Sequence, residues 1–250
     1  MRIIADVSMN FKTLDDIIKI VNTVKADYIK LQWYSERDLY GSGSDETKLK
    51  YEWLPKIEAA CKSNRKKLMC TVFNPDRVNA INGFVYIHKV ASSEITDDKL
   101  MYALKSCGRP VIVSTGGADN NQIRNAVSIF GTLLTCLMAC DVEYPAKRHN
   151  IRHMMKLKYE YPNINVGYSD HSIDICTMPI LVSHYGGTFY EKHVKPYDDP
   201  EFEAHALTLD EFNEMFEVMA GAKDPQLKNP HQRVYNEELK RWVRPRVVNK

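Results

Sequence analysis

Eight short runs of apolar, β-branched and aromatic residues recur along the chain, and between most of them apolar residues return every three or four positions. The runs are Ile3–Val7, Tyr28–Trp33, Leu68–Phe73, Val85–Ala91, Val111–Thr115, Leu133–Cys140, Asn165–Tyr168 and Thr188–Val194. Runs of this length bounded by turn residues read as buried strands. The helical pattern covers Leu14–Val24, Glu52–Ser63, Lys99–Cys107, Gln122–Phe130, Ile151–Tyr159, Ile175–His184 and Leu209–Met219. After the third strand no clear helix is read, and the segment PDRVNAIN is expected to be a turn-rich link. Eight strand–helix units in a chain of this length predict one α/β domain, a (β/α)8 TIM barrel. The barrel is expected over residues 1–222, with 223–250 as a basic C-terminal tail.

Composition narrows the partners. The chain has 34 Lys and Arg against 32 Asp and Glu, so no strong field points to nucleic acid or to an anionic membrane, and any anion must be held by local placement. No apolar run approaches the ~18 residues of a membrane span, and MRIIADVSMN lacks a signal-peptide core, so a cytoplasmic protein is expected. The six cysteines include no CxxC pair and mostly sit in apolar runs, which suits buried, reduced thiols.

In a barrel of this type the chemistry sits at the C-terminal ends of the strands. Polar residues gather there in this sequence: Lys30 and Gln32 in IKLQW, Thr71 in CTVF, and Lys89, Ser92 and Glu94 in HKVASSE. They continue with Ser114 and Thr115 before two glycines, then Asp141, Glu143 and Tyr144 in CDVEYP. Glycines at such a place let backbone amides approach an anion. Lysines inside a barrel need a negative partner, and a phosphate or carboxylate between Lys30 and Lys89 is the natural one. Against this, Lys30 can pair with Glu191 or Glu94 as a structural ion pair, and single hydroxyls at strand ends often cap the next helix.

The segment Gly167–Val194 repeats one pattern, NVGYSDH and TFYEKHV, each an apolar run closing on a histidine. A helix between Ile173 and Gly186 would make this a βαβ unit. Residues two apart in a strand share a face, so Ser169 lies with His171 and Glu191 with His193. Parallel neighbours would bring the two histidines to about 5 Å in the sheet direction. Two imidazoles so placed suit one divalent metal ion. They suit equally a hydrogen-bonded pair in a polar barrel mouth.

These residues resemble the sialic acid synthases, N-acetylneuraminate synthase and its relatives. The matching segments are IKLQ, CTVF, HKVASSEITDDKL, GRPVIVSTGGADNNQIRNAV, CDVEYP, VGYSDHS and EKHV, in the family's order across most of Tyr28–Val194. The resemblance implies a (β/α)8 barrel that condenses phosphoenolpyruvate with a sugar aldehyde such as N-acetylmannosamine, with a divalent metal, Mn or Mg and on this donor set also Zn. It implies that Lys30, Thr71, Lys89, Ser92, Ser114 and Ser169 hold phosphoenolpyruvate, and that Gln32, Glu94 and Tyr144 face the sugar. His171 and His193 would bind the metal, and Glu94, Lys89 and His171 would take the catalytic roles, Glu94 as acid or base. A homodimer is the family's habit.

Departures from the family pattern fall mainly on the acceptor side. Where the family's first strand usually ends in Glu with an Asn-His pair beyond, this chain has Asp6, Asn10 and Phe11. Val142 stands where Asn or Ser is general, and DDPEFEAHALTL offers Glu203 or His205 in place of the family's Asp-containing segment. The residues after the barrel resemble the start of a linker, and the antifreeze-like domain of typical members is not expected here. Its basic residues Lys240, Arg241, Arg244 and Arg246 are expected either to reach a neighbouring subunit or to be a solvated charge run. A changed acceptor is the expectation. The rival expectations are a non-catalytic barrel that binds a phosphorylated ligand or a protein, and a metal-dependent aldolase.

Overall fold

A computed structural model describes residues 1–147 and 149–221, together with the backbone of Val234–Asn236 and Arg241–Val243. Eight parallel strands close into a barrel in chain order. They are β1 (Arg2–Ser8), β2 (Tyr28–Trp33), β3 (Lys67–Val72), β4 (Ile87–Val90), β5 (Val111–Ser114), β6 (Leu134–Cys140), β7 (Asn165–Asp170) and β8 (Phe189–His193). Around them lie α1 (Leu14–Thr23), α2 (Glu36–Tyr40), α3 (Leu54–Ser63), α4 (Pro75–Asn82), α5 (Asp98–Ser106), α6 (Asn120–Phe130), α7 (Ile151–Glu160), α8 (Thr177–His184) and α9 (Leu209–Gly221). Among the described residues no helix is long and apolar enough to cross a membrane.

The sequence patterns explain these elements except α2, a short helix capped by Ser35 that was not expected, and two others need correction. PDRVNAIN is the helix α4, not a link. Asn74 caps it by accepting from the Asp76 amide, and Pro75 sits in the first turn, where its missing N–H has no helical partner to lose. The helix between β7 and β8 is shorter than expected, because Asp174 accepts from the amides of Cys176, Thr177 and Met178 and so starts α8 late. The basic tail lies largely outside the described residues; within it, the backbones of Val234–Asn236 and Arg241–Val243 pair antiparallel.

Strand periodicity divides the barrel into two apolar bodies. Outward residues such as Val7, Leu31, Val72, Val113 and Leu137 join the helices in the main core. Inward residues Ile4, Tyr28, Met69, Ile87, Ile112, Cys136, Met138 and Phe189 form a separate plug inside the barrel. Gly167 makes room for it, because a Cβ there would stand 2.6 Å from the Phe189 carbonyl oxygen. Two residues further along, on every strand but β6, the inward positions turn polar: Asp6, Lys30, Thr71, Lys89, Ser114, Ser169 and Glu191. That layer is the floor of the candidate site.

Candidate active site at the C-terminal mouth of the barrel

A cavity of about 410 Å³ opens above this floor, and all eight strands contribute to its wall. Barrel closure sets β1 between β2 and β8, with Asp6 opposite Lys30 on one side and His193 on the other. Lys30 Nζ therefore lies 2.6 Å from Asp6 Oδ2 and 3.4 Å from Glu191 Oε1. Lys89 Nζ donates to the same Glu191 oxygen at 2.7 Å, and Ser169 Oγ donates to it at 2.8 Å. Both lysines thus have protein partners, so charge balance alone does not demand a bound anion. Asp6, absent from the expected pairings, is the nearer partner of Lys30.

Burial and charge oppose each other at these groups. Burial alone would raise the Asp6 carboxyl, but Lys30 and then His193 hold it below the ordinary range. Glu191 is likewise lowered against burial by Lys30 and Lys89. Burial would depress the Lys30 ammonium, yet Asp6 and Glu191 raise it. Charged forms therefore persist at neutral pH because each has a partner.

What the floor lacks is partners for two of its hydroxyls. Thr71 Oγ1 and Ser114 Oγ are buried without a hydrogen-bond partner, as is the second oxygen of Glu191. Thr71 and Ser114 flank the Lys89 strand on β3 and β5. Two orphaned donors beside an ammonium are an arrangement that an incoming oxyanion completes. Gly116 follows for a packing reason: a Cβ there would meet Cys140 Sγ at 2.5 Å.

Above the floor stand three histidines. Burial first, and then His193, push the His171 imidazole down to about 3. Its Nδ1–H donates to the Asp141 carbonyl at 2.5 Å, which leaves the lone pair on Nε2, 3.3 Å from Ser169 Oγ. Glu203, in the loop after β8, accepts from His193 Nδ1 at 2.6 Å, from Ser8 Oγ at 2.7 Å and from Asn10 Nδ2 at 2.8 Å. Burial would lower His193, but Glu203 and Asp6 raise it. His205 closes the group, its ring centroid 4.5 Å from that of His193. Tyr144 stacks on His171 at 4.2 Å.

Most expected site residues meet in this cavity: Asp6, Lys30, Gln32, Thr71, Lys89, Ser92, Ser114, Tyr144, Ser169, His171 and His193 all line it. Glu94 does not. It ends the turn Ser92–Glu94, half-buried and outside the wall, with its carboxyl raised by burial. Phe11, expected to alter the sugar side, is in the hydrophobic core against Trp53, with ring centroids 6.2 Å apart. Glu191 and Glu203 carry the largest roles not assigned from sequence. Glu191 was legible, sharing a strand face with His193. Glu203 depends on how a loop returns, which no spacing rule reports.

The sequence model of the NeuB family matches residues 17–225. The chain belongs to the NeuB family. Its relatives include the pseudaminic acid synthase of Campylobacter jejuni, 26% identical over 81% of this chain and 61% of that protein. The N,N'-diacetyllegionaminic acid synthase of Legionella pneumophila is 27% identical over 71% of this chain and 55% of that one. The chain spans about three fifths of the length of the first curated relatives it matches. Among solved structures, the Bacillus subtilis spore coat polysaccharide biosynthesis protein SpsE superposes with a TM-score of 0.82 at 23% identity, covering 89% of this chain and 68% of that chain. The N-acetylneuraminic acid synthetase of Leptospira borgpetersenii gives 0.78 at 24%, covering 90% and 86%. These two show the (β/α)8 barrel as the fold.

Proposed function

We propose that this NeuB-family barrel condenses phosphoenolpyruvate with an aldose acceptor to give a sialic-acid-type 2-keto acid and phosphate. The observation that carries this reading is the pair of orphaned hydroxyls, Thr71 and Ser114, beside Lys89 on the cavity floor. Family membership and the names of the relatives support it. Lys30 and Lys89 face Asp6, Glu191 and Glu203, so the wall carries no excess positive charge to hold an anion by itself. The uncharged donors Thr71, Ser114 and Ser92 then orient the anion, and Ser169 joins them by exchanging its bond to Glu191.

The donor set fits a divalent metal. His171 Nε2 has only Ser169 Oγ at 3.3 Å, and Glu203 behind His193 Nδ1 is the carboxylate–imidazole pairing that orients a ligating ring, whose Nε2 lies 3.2 Å from Asp6 Oδ2. Held by His171 and His193, such an ion supplies Lewis acidity to the acceptor aldehyde. Lys89 and the hydroxyls hold phosphoenolpyruvate so that its C3 faces the aldehyde carbon, and a C–C bond forms. Glu191, with one oxygen free and buried, positions the water that adds at C2. One water proton ends on the new hydroxyl of the acceptor. The other leaves with phosphate as the C–O bond of the tetrahedral intermediate breaks. Glu94 is proposed to act on the acceptor from outside the floor, and normal turnover in Glu94→Gln would remove it. The cytoplasm, where thiols stay reduced, suits a chain whose six cysteines are all free.

Phosphate release from phosphoenolpyruvate across a panel of N-acetylated and plain aldoses tests the reading. Release that needs an acceptor and disappears in His171→Ala supports it. Pyruvate without phosphate would make the chain an aldolase, and neither product would make it a binding protein.

A further inference from the structure

Ser8 ends β1 in a backbone conformation that serine rarely adopts. Its φ is +46°, in the left-handed region, where a Cβ crowds the neighbouring carbonyl. The pairing of β1 with β2 slips at the same place: Asp6 stands opposite Lys30, and Ser8, two residues on, stands opposite Leu31. Irregularities of this kind re-aim side chains beside active sites. Ser8 is buried and lines the cavity, so the strain is carried in the wall of the site.

The hydrogen bonds show what this conformation secures. The Ser8 amide donates to Asp6 Oδ1 at 2.9 Å, and its hydroxyl donates to Glu203 Oε1 at 2.7 Å. With Oδ1 taken, Asp6 presents Oδ2 to Lys30 at 2.6 Å, to Gln32 at 3.1 Å and to His193 Nε2 at 3.2 Å. With Oε1 taken, Glu203 presents Oε2 to His193 Nδ1 at 2.6 Å. One serine therefore holds both carboxylates that flank the His193 ring.

Asn10 also reaches the loop after β8. Its Nδ2 donates to Glu203 Oε2 at 2.8 Å, and its Oδ1 accepts from the Glu203 amide at 2.9 Å. Those bonds seat the loop, whereas Ser8 ties the loop to Asp6. For the backbone alone glycine would be the better residue at position 8, because it takes a positive φ without strain. What glycine would lose is the hydroxyl on Glu203. Strain that persists beside a cavity, where a less strained residue exists, points to a task for the side chain.

We propose that Ser8 is a positioning residue of the condensation, its left-handed backbone kept so that one amide and one hydroxyl set Asp6 and Glu203 on either side of His193. This rests on the condensation reading above and adds to it a residue that acts through its neighbours. Its effect falls on the acceptor side of the cavity, away from Thr71, Ser114 and Lys89.

Two substitutions separate strain from hydroxyl. Ser8→Gly removes both, and Ser8→Ala removes the hydroxyl but keeps the Cβ. Ser8→Gly is expected to melt at or above the wild-type temperature, and Ser8→Ala about 2–4 °C below Ser8→Gly. In both variants the loop carrying Glu203 should open more often. Amide exchange of residues 199–206, read by mass spectrometry, should be about tenfold faster, the scale of a lost hydrogen bond to a charged group. The KM for whichever aldose the wild type accepts should rise about tenfold, with phosphoenolpyruvate affinity unchanged in calorimetry. Ser8→Gly that melts well below the wild type and loses phosphoenolpyruvate affinity in step would make the serine structural and overturn the proposal. Wild-type loop exchange and acceptor KM in both variants, beside a wild type that condenses, would overturn Ser8 alone. A wild type that releases no phosphate with any aldose would overturn the condensation and, with it, the positioning role.

Discussion

Lys192 Nζ lies 2.6 Å from Asp170 Oδ2 outside the cavity, both side chains at most 1% exposed. Each residue directly precedes one of the two histidines, His171 and His193, at the ends of β7 and β8. The ammonium also donates to the carbonyls of Ser172 and Asp174, and Tyr190 donates to the same carboxylate. Burial would raise Asp170, but Lys192 holds it below the ordinary range; at Lys192 burial outweighs Asp170 and lowers the ammonium. The 2.6 Å contact and the surrounding carbonyls are those of a charged pair, which ties the strand carrying one histidine to the loop carrying the other.

Removing half of this pair strands the other half. Lys192→Met is expected to destabilise the barrel by about 3–5 kcal/mol, the usual result of leaving a buried charge without its partner. Lys192→Met with Asp170→Asn should recover much of that. Urea unfolding of the wild type and the two variants measures it, and equal losses in the single and double variants would show that the pair is not the cause.

The orphaned hydroxyls should behave in the opposite way. Thr71→Val and Ser114→Ala remove groups that have no partner in the free protein, so neither should lower stability. Each should weaken phosphoenolpyruvate binding about tenfold or more, because a hydrogen bond to a charged group contributes roughly 1.5–3 kcal/mol. Thermal melting and calorimetry on the same samples separate the two effects, and loss of stability with unchanged binding would make the hydroxyls structural.

Acid sensitivity is expected from a residue remote from the cavity mouth. His88, fully buried, donates through Nε2 to Asn82 and leaves Nδ1 without a partner. Burial first, and then Arg109, lower it to about 4. Below its unfolded value of about 6.5 the unfolded chain binds a proton that the folded one refuses, so stability falls as pH drops from there towards 4. Between pH 6.5 and pH 5 this amounts to about 2 kcal/mol at 1.36 kcal/mol per unit. His88→Gln should remove that part of the slope in melts at several pH values.

Two glycines should differ in how they can be rescued. Gly116→Ala places a Cβ against the Cys140 sulfur, and Gly167→Ala places one 2.6 Å from the Phe189 backbone oxygen. Both are expected to destabilise by about 1–3 kcal/mol or more, as overpacked sites do. Cys140→Ala should relieve part of the first. Phe189→Leu should not relieve the second, because the backbone stays in place.

The barrel was legible because each strand is an apolar run and each inward position follows from alternation, so Lys30, Thr71, Lys89 and Ser169 could be set on one face. α4 was misread because its Asn, Asp and Pro residues look like a turn, although Asn74-Pro75 is also a cap signal. The Asp6–Lys30 contact was not legible, since it needs β1 to close against β8 and β2 at a given register. Glu203 and His205 reach the histidines through an irregular loop, and periodicity says nothing about where such a loop returns. Phe11 was read through a family pattern, whereas its burial beside Trp53 is a matter of packing.

The most direct test of the condensation is the fate of the bridging oxygen of phosphoenolpyruvate. With ¹⁸O at that position and an acceptor present, C–O cleavage predicts that the heavy oxygen leaves in phosphate, seen by mass spectrometry, while the 2-keto acid carries oxygen from water. Heavy oxygen retained on the organic product, with unlabelled phosphate released, would mean cleavage at phosphorus and would contradict the account.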